Sequence, residues 1–74
     1  MHDTIDTAIK LIEDNPPEGD SFTLDIANGA TFMGLPDPMG AGFAVLLATI
    51  LNCGFEPDGL DHFDGFRRYK YVRS

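Results

Sequence analysis

Residues 21–31, SFTLDIANGAT, carry the clearest structural pattern in the chain. Apolar and polar side chains alternate in FTLDI (22–26), which predicts a strand with one buried face. Asn28-Gly29 is typical of a two-residue hairpin turn, so we expect a return strand over Thr31–Leu35. In that register Ile26 faces Thr31, Leu24 faces Met33 and Phe22 faces Leu35, whereas Phe32 lies on the opposite face with Thr23 and Asp25.

An amphipathic helix is predicted before this strand, over residues 4–14. Its apolar residues recur at helical spacing, at Ile5, Ala8, Ile9 and Ile12. Asp3 or Thr4 can cap its first turn. The helix should end at Asn15, because Pro16 follows.

A second helix is predicted over residues 38–53, with Asp37 as N-cap and Gly54 as terminator. It is apolar nearly all round, which is typical of a helix buried on every side. Gly40, Ala44 and Ala48 form a stripe of small residues that allows a close approach of another backbone. Either the first helix packs on this stripe, or the stripe and Phe32 form an apolar interface with a second copy or a partner.

The region after the second helix divides into an acidic segment and a basic segment. Residues 55–64 are predicted to form an acidic loop. Residues 66–73 alternate again and predict a terminal strand, with Tyr69 and Tyr71 on one face and Arg68, Lys70 and Val72 on the other.

These elements predict one α+β domain over residues 1–74, with the order α-β-β-α-β. If the crossover returns strand three beside strand one, the sheet order is 2-1-3 with antiparallel neighbours. Both helices should then cover one face of the sheet.

Size and composition restrict where such a chain can work. With 74 residues and one cysteine, Cys53, it has no internal disulfide, and its N-terminal residues show no signal-peptide pattern. We therefore expect a cytoplasmic protein. Residues 38–55 contain no charge but are short and interrupted by glycines, so we read them as a buried helix rather than a membrane span.

Signatures of catalysis or cofactor binding are weak. Gly40-Ala41-Gly42 at a helix start lacks the Lys and Ser/Thr of a nucleotide loop, and Asp37 would repel phosphate. Glu56, Asp58, Asp61, His62 and Asp64 cluster without the spacing of a calcium loop, and a solvated acidic surface is the simpler interpretation. No Ser, His or Cys pairing predicts a triad. We expect neither enzyme activity, nor a metal, nor a cofactor.

Charge is the strongest functional signal. All twelve acids lie before residue 65 with a single base, Lys10, whereas Arg67, Arg68, Lys70 and Arg73 lie in the last eight residues. A body with net charge −7 repels nucleic acid and anionic membranes and attracts basic protein surfaces. The basic C-terminal strand interleaves bases with aromatics as some single-strand binders do, but pairing with Asp25 and protection of a sheet edge explain it more simply.

In size, net charge and mixed α/β character, the chain resembles the small acidic proteins that phages use against host nucleases, the anti-CRISPR proteins among them. The resemblance concerns overall character and rests on no motif. It implies a non-enzymatic inhibitor, since several such proteins act as DNA mimics on the DNA-binding surface of an effector complex.

Two functions follow as hypotheses. In the first, an inhibitor binds a basic nucleic-acid-binding protein through two acidic ridges, formed by Asp3, Asp6, Glu13 and Asp14 and by Glu56, Asp58, Asp61 and Asp64. In the second, an adaptor or structural subunit dimerises or docks a partner through the apolar helix at residues 38–53. Ionic strength distinguishes them, because salt weakens electrostatic binding far more than apolar burial.

Overall fold

The computed structural model describes residues 4–37 and 40–74, so the predictions for Asp3, Pro38 and Met39 lie outside the described residues. The predicted α+β class, with a three-stranded antiparallel sheet and two helices, is confirmed. The elements in chain order are α1 (Ile5–Asp14), β1 (Ser21–Ala27), β2 (Thr31–Phe32), β3 (Leu35–Pro36), α2 (Ala41–Asn52), β4 (Phe55–Phe63) and β5 (Phe66–Arg73).

Helix α1 forms where the apolar periodicity predicts it. Thr4 is its N-cap, and the Thr4 side-chain oxygen accepts a hydrogen bond from the Thr7 amide at 3.1 Å. Ile5, Ala8 and Ile12 are buried on one side of the helix. The helix therefore docks on the domain through its predicted apolar stripe.

The main sheet has the order β1-β5-β4, with antiparallel neighbours. The terminal strand lies beside the first strand, as predicted. The predicted 2-1-3 order is wrong, because β5 rather than β1 is the central strand. Strand β4, not residues 31–35, is the third strand, and it lies on the side of β5 away from β1.

The predicted hairpin between β1 and residues 31–35 is also wrong. Asn28-Gly29 does make a tight turn, since the Ala30 amide donates to the Ala27 carbonyl at 3.1 Å. The chain then turns again at Met33-Gly34, where φ is 55° and 77°, so β2 pairs with β3 and not with β1. The Asp6 carboxylate accepts a hydrogen bond from the Met33 amide, which ties this second turn to α1.

Strand β5 is the partner that β1 takes instead. The pairing runs along the full length of β1, from Ser21 opposite Val72 to Ala27 opposite Phe66. It places Leu24 opposite Tyr69 and Asp25 opposite Arg68, so apolar and charged side chains each meet a suitable partner.

The predicted acidic loop at residues 55–64 is the strand β4. A two-residue turn at Asp64-Gly65, with φ of 87° at Gly65, joins β4 to β5. The Phe63 and Phe66 rings stack at this turn, with centroids 4.9 Å apart. Pairing with β5 thus outweighs the low strand propensity of the acids, and a register shift between Pro57 and Gly59 accommodates the proline.

The core lies between the two helices and one face of the sheet. Its fully buried large side chains come from all the main elements except α1: Ile26 of β1, Leu46 and Ile50 of α2, Phe55 of β4 and Tyr71 of β5. Tyr69 and Tyr71 point to this face, whereas Arg68, Lys70 and Val72 occupy the other, as predicted. The outer face also carries Asp25 and Asp61, which are both opposite Arg68, and Phe63, which is opposite Phe66.

Candidate partner-binding surface

Strand β4 carries one of the two predicted acidic groups. The residues Glu56, Asp58, Asp61 and Asp64 are all exposed, on β4 or in the turn that follows it. The Asp61 carboxylate lies 3.4 Å from the Lys70 ammonium. Among the described residues, no ion pair or hydrogen bond involves the side chains of Glu56, Asp58 or Asp64, so their charge faces solvent.

Helix α1 carries the other acidic group. Glu13 and Asp14 are exposed, and Asp14 pairs weakly with Lys10 at 3.8 Å. Asp6 is half-buried, and its carboxylate is used by the Met33 amide. The two groups lie on separate elements, each of which packs against α2.

The basic residues of β5 mostly have partners within the chain. Arg68 donates two hydrogen bonds to the Asp25 carboxylate, at 2.8 and 3.2 Å, which confirms the predicted pairing with Asp25. The hydrogen bonds and the charge of Asp25 raise the pKa of Arg68. Arg73 donates to the Gly19 carbonyl at 2.7 Å and lies over the Phe55 ring. These contacts stabilise the sheet, and the charge of Arg68 is balanced by the Asp25 carboxylate.

Arg67 is the exception among these bases. It points to the helix side of the sheet and lies over the Tyr69 ring, 5.7 Å from the ring centroid. Its Nε is buried and has no hydrogen-bond partner in the described part of the chain. It lines a cavity of about 410 Å³ together with Ile26, Asp37 and Phe43.

One side of α2 is an exposed apolar surface. The small residues Gly40, Ala44 and Ala48 are all exposed, so the expectation that the first helix packs on this stripe is wrong. Val45 and Leu51 are 45% and 47% exposed on the same helix. Helix α1 does pack against α2, whose buried residues are Gly42, Leu46 and Ile50. The stripe remains available to a partner or a second copy.

Phe32 is not on a face shared with Thr23 and Asp25, because β2 leaves the main sheet. It is half-buried, and a Cβ added at Gly42 would lie 2.6 Å from its Cβ and Cγ. Phe32 therefore docks β2 on α2. Its role in a partner interface stays a prediction.

A groove runs between α2 and the helix side of strands β4 and β5. Phe43 and Leu47 of α2 line it on one side, and Pro57 and Leu60 of β4 line it on the other. The rings of Tyr69 and Tyr71 also line this groove, which has a volume of about 350 Å³. Leu60 is 42% exposed at its border. The groove is apolar and directly adjoins the acidic strand.

The backbone amides at the start of α2 are already occupied. Gly40 is the N-cap residue, with φ of 72°, but the capping carboxylate comes from Asp37. Its oxygens accept hydrogen bonds from the Gly42 and Phe43 amides, both at 3.3 Å. An external phosphate would have to displace this carboxylate.

The described residues offer little support for a metal site, a reactive thiol or a membrane-spanning helix. In the described ranges, no three His, Cys, Asp or Glu side chains are close enough to hold a metal ion. Cys53 is a half-buried free thiol at the end of α2. No helix within residues 4–37 and 40–74 is long and apolar enough to cross a bilayer.

Comparison of the chain with protein-family models, with curated proteins and with solved structures found no match. The fold and the surface described above therefore carry the functional argument.

Sequence reasoning missed the groove and the strand that borders it. Asp64-Gly65 between Phe63 and Phe66 is a hairpin signal of the same kind as Asn28-Gly29, and it would have identified β4. Phe43 and Leu47 gave no such signal, because nearly every position of α2 is apolar.

Proposed function

We propose that the protein is a non-enzymatic inhibitor of the anti-CRISPR or DNA-mimic kind. Its exposed carboxylates would bind a basic nucleic-acid-binding protein, or an effector complex that contains one, in place of nucleic-acid phosphates. The observation that carries this proposal is the row of exposed acids on β4 and the turn after it. Three of them, Glu56, Asp58 and Asp64, have no ion pair or hydrogen bond within the described residues.

The length of the row supports contact with an extended basic site. Eight residue steps separate Glu56 from Asp64, and a strand rises about 3.3 Å per residue, so the row spans roughly 25 Å. One strand of B-DNA carries roughly seven phosphates over this length. Four carboxylates supply about half that charge density. We therefore propose that Glu13 and Asp14 on α1 also contact the basic site.

Such binding would be fast and sensitive to salt. Opposite charges steer the encounter of two proteins and raise the association rate. Carboxylates that replace phosphates on a basic groove also release its counterions, so the affinity falls as salt rises. We place this activity in the cytoplasm, where such effectors work and a single free thiol is ordinary.

Two variants of equal net charge test the proposal. Asp58→Lys with Asp64→Lys reverses two unpartnered acids of β4, whereas Glu18→Lys with Asp20→Lys reverses two exposed acids outside the predicted set. Binding to immobilised DNA-binding nucleases and RNA-guided effector complexes is measured by biolayer interferometry, with DNA as competitor. We expect the β4 variant to bind about tenfold or more weakly, and the control variant to bind nearly as the native chain does.

Equal losses in both variants would mean that only total charge matters, and the acidic row would lose its role. Binding by the native chain that DNA does not displace would contradict mimicry.

A second candidate function is an adaptor or structural subunit that dimerises or docks a partner through α2. The exposure of Ala44, Val45, Ala48 and Leu51 on one helix favours it, because exposed apolar patches of this kind are often interfaces.

A further inference from the structure

We propose that the free edge of β4, from Gly59 to Phe63, binds an extended basic segment of the partner as an added strand. Alternate apolar side chains of that segment would enter the groove between α2 and β4. This inference rests on the proposed function, in which the partner is basic, and specifies how the partner is held.

The edge itself is the first reason. Within the described residues β4 pairs only with β5, so alternate backbone N–H and C=O groups of β4 point away from the sheet. Pro57 cannot donate a hydrogen bond, and the register shift between Pro57 and Gly59 bends the strand. These two features restrict regular pairing to Gly59–Phe63.

The groove supplies the second reason. Strand addition gains affinity from main-chain hydrogen bonds and specificity from pockets for alternate side chains. On the helix side of β4, Leu60 borders an apolar groove of about 350 Å³ lined also by Phe43 and Leu47. That volume accommodates one or two aliphatic side chains of a strand that lies beside β4.

The acids along the β4 edge favour basic side chains at the other positions of the added strand. Neighbours of the inserted residues would point to the outer face, where Asp61 lies, and toward Asp58 and Asp64 at the two ends of the edge. Asp61 is partly neutralised, because it lies 3.4 Å from the Lys70 ammonium and opposite Arg68, whereas Asp58 and Asp64 have no ion pair among the described residues. Lysine or arginine at these positions of the segment would therefore meet carboxylates.

The opposite edge is less suitable. On β1 the inward residues Leu24 and Ile26 are 7% and 1% exposed, so they leave no room for inserted side chains. Asp25 on the outer face already binds Arg68. The β4 edge combines unpaired backbone, an apolar groove and acids with free charge.

The test uses three synthetic peptides of equal length: one that alternates valine and lysine, the same peptide N-methylated at alternate amides, and polylysine. Binding to the ¹⁵N-labelled full chain is followed by NMR at low salt. We expect the alternating peptide to shift the amides of Gly59–Phe63, and N-methylation to weaken its binding at least tenfold.

A matched pair of variants tests the groove. Leu60→Ser and Leu11→Ser remove the same side chain at 42% and 43% exposure, the first at the groove and the second on α1. We expect Leu60→Ser to lower the affinity for the alternating peptide about fivefold, and Leu11→Ser to leave this affinity unchanged. Circular dichroism establishes that both variants fold.

Equal binding of polylysine and both alternating peptides would overturn strand addition, while the electrostatic function would stand. Shifts centred on β1 would overturn the choice of edge. Failure of all three peptides to bind would also overturn the inference, whereas the proposed function is decided separately, by the charge reversals on intact effector proteins.

Discussion

Single residues determine the packing in and beside the core. Gly42 is one example, because any side chain there would overlap the base of the Phe32 side chain at 2.6 Å. Tyr71 is another. It is 2% exposed, stacks on Phe22 with ring centroids 5.0 Å apart, and lies at the centre of the core. Its phenol is therefore held in surroundings that disfavour a charge.

Tyr71 predicts a loss of stability at alkaline pH. Burial, aided by the charge of nearby Tyr69, raises the pKa of Tyr71 from 10.0 to about 12. Because the folded pKa is the higher one, its contribution is complete below pH 10 and is lost as pH rises from about 10 to about 12. We expect a decrease of at most about 3 kcal/mol in the free energy of unfolding.

Urea unfolding from pH 8 to pH 12, about the range over which tyrosine titrates, measures this effect. Tyr71→Phe is the control, because it keeps the ring and removes the ionisable hydroxyl. The free energy of unfolding of the variant should decrease less between pH 10 and pH 12 than that of the native chain. Equal decreases in both proteins would show that groups other than Tyr71 cause the loss of stability.

At the level of elements, the start of α2 depends on a residue outside the helix. The Asp37 carboxylate serves two amides of the first turn from a position three residues before the N-cap Gly40. A carboxylate at this end also interacts favourably with the helix dipole. The sequence predicted Asp37 as the cap, although the helix begins later than expected.

Asp37→Ala should therefore destabilise the domain by about 1 kcal/mol. Asp37→Asn is the matched control, since its amide oxygen can still accept the two hydrogen bonds, and it should retain most of the stability. Chemical denaturation of the two variants measures the difference. If both variants lost the same stability, the charge of Asp37 rather than its hydrogen bonds would be responsible. If neither variant lost stability, the cap would contribute nothing.

The elements also show why some of the fold was predictable. Periodicity located α1, β1 and β5, because the buried side of each is visible in its own sequence, whereas α2 was located by its continuous apolar run between Asp37 and Gly54. The partner of β1 could not be predicted from the residues next to it in the sequence. Asn28-Gly29 does make a turn, but residues 31–35 offer few pairing positions, whereas β5 pairs with β1 at seven positions. Strand β4 was hidden by its acids, whose low strand propensity is overridden by pairing with β5.

For the site, the sequence predicted that the acids are exposed, and the structure places Glu56, Asp58 and Asp61 on β4 and Asp64 in the turn that follows it. The groove was not predictable, because only packing distinguishes Phe43 and Leu47 from the exposed apolar residues Val45 and Leu51.

For the whole molecule, the unusual combination is strong negative charge with an uncovered apolar helix face. Repulsion between chains of net charge −7 opposes association, while the exposed side of α2 favours it. The state in solution depends on which effect is larger, and this balance responds to salt.

If the adaptor function works by dimerisation through α2, the dimer should persist at high salt. Light scattering coupled to size exclusion should then give twice the 8.1 kDa mass, and Ala48→Asp should return the chain to monomers. Asn28→Asp, in an exposed turn, adds the same charge elsewhere and should leave the dimer intact. A native monomer at both low and high salt would contradict the dimer, and the adaptor hypothesis would then retain only the docking of a different partner through α2.

The central position of β5 has a consequence for how the protein is made. Strands β1 and β4 meet only through β5, which follows every other described element along the chain. On the ribosome, α1, β1, the apolar α2 and β4 all emerge before the strand that joins them. The three-stranded sheet can therefore form only after β5 is synthesised, and a chain that stops before residue 66 would lack the strand that joins β1 to β4.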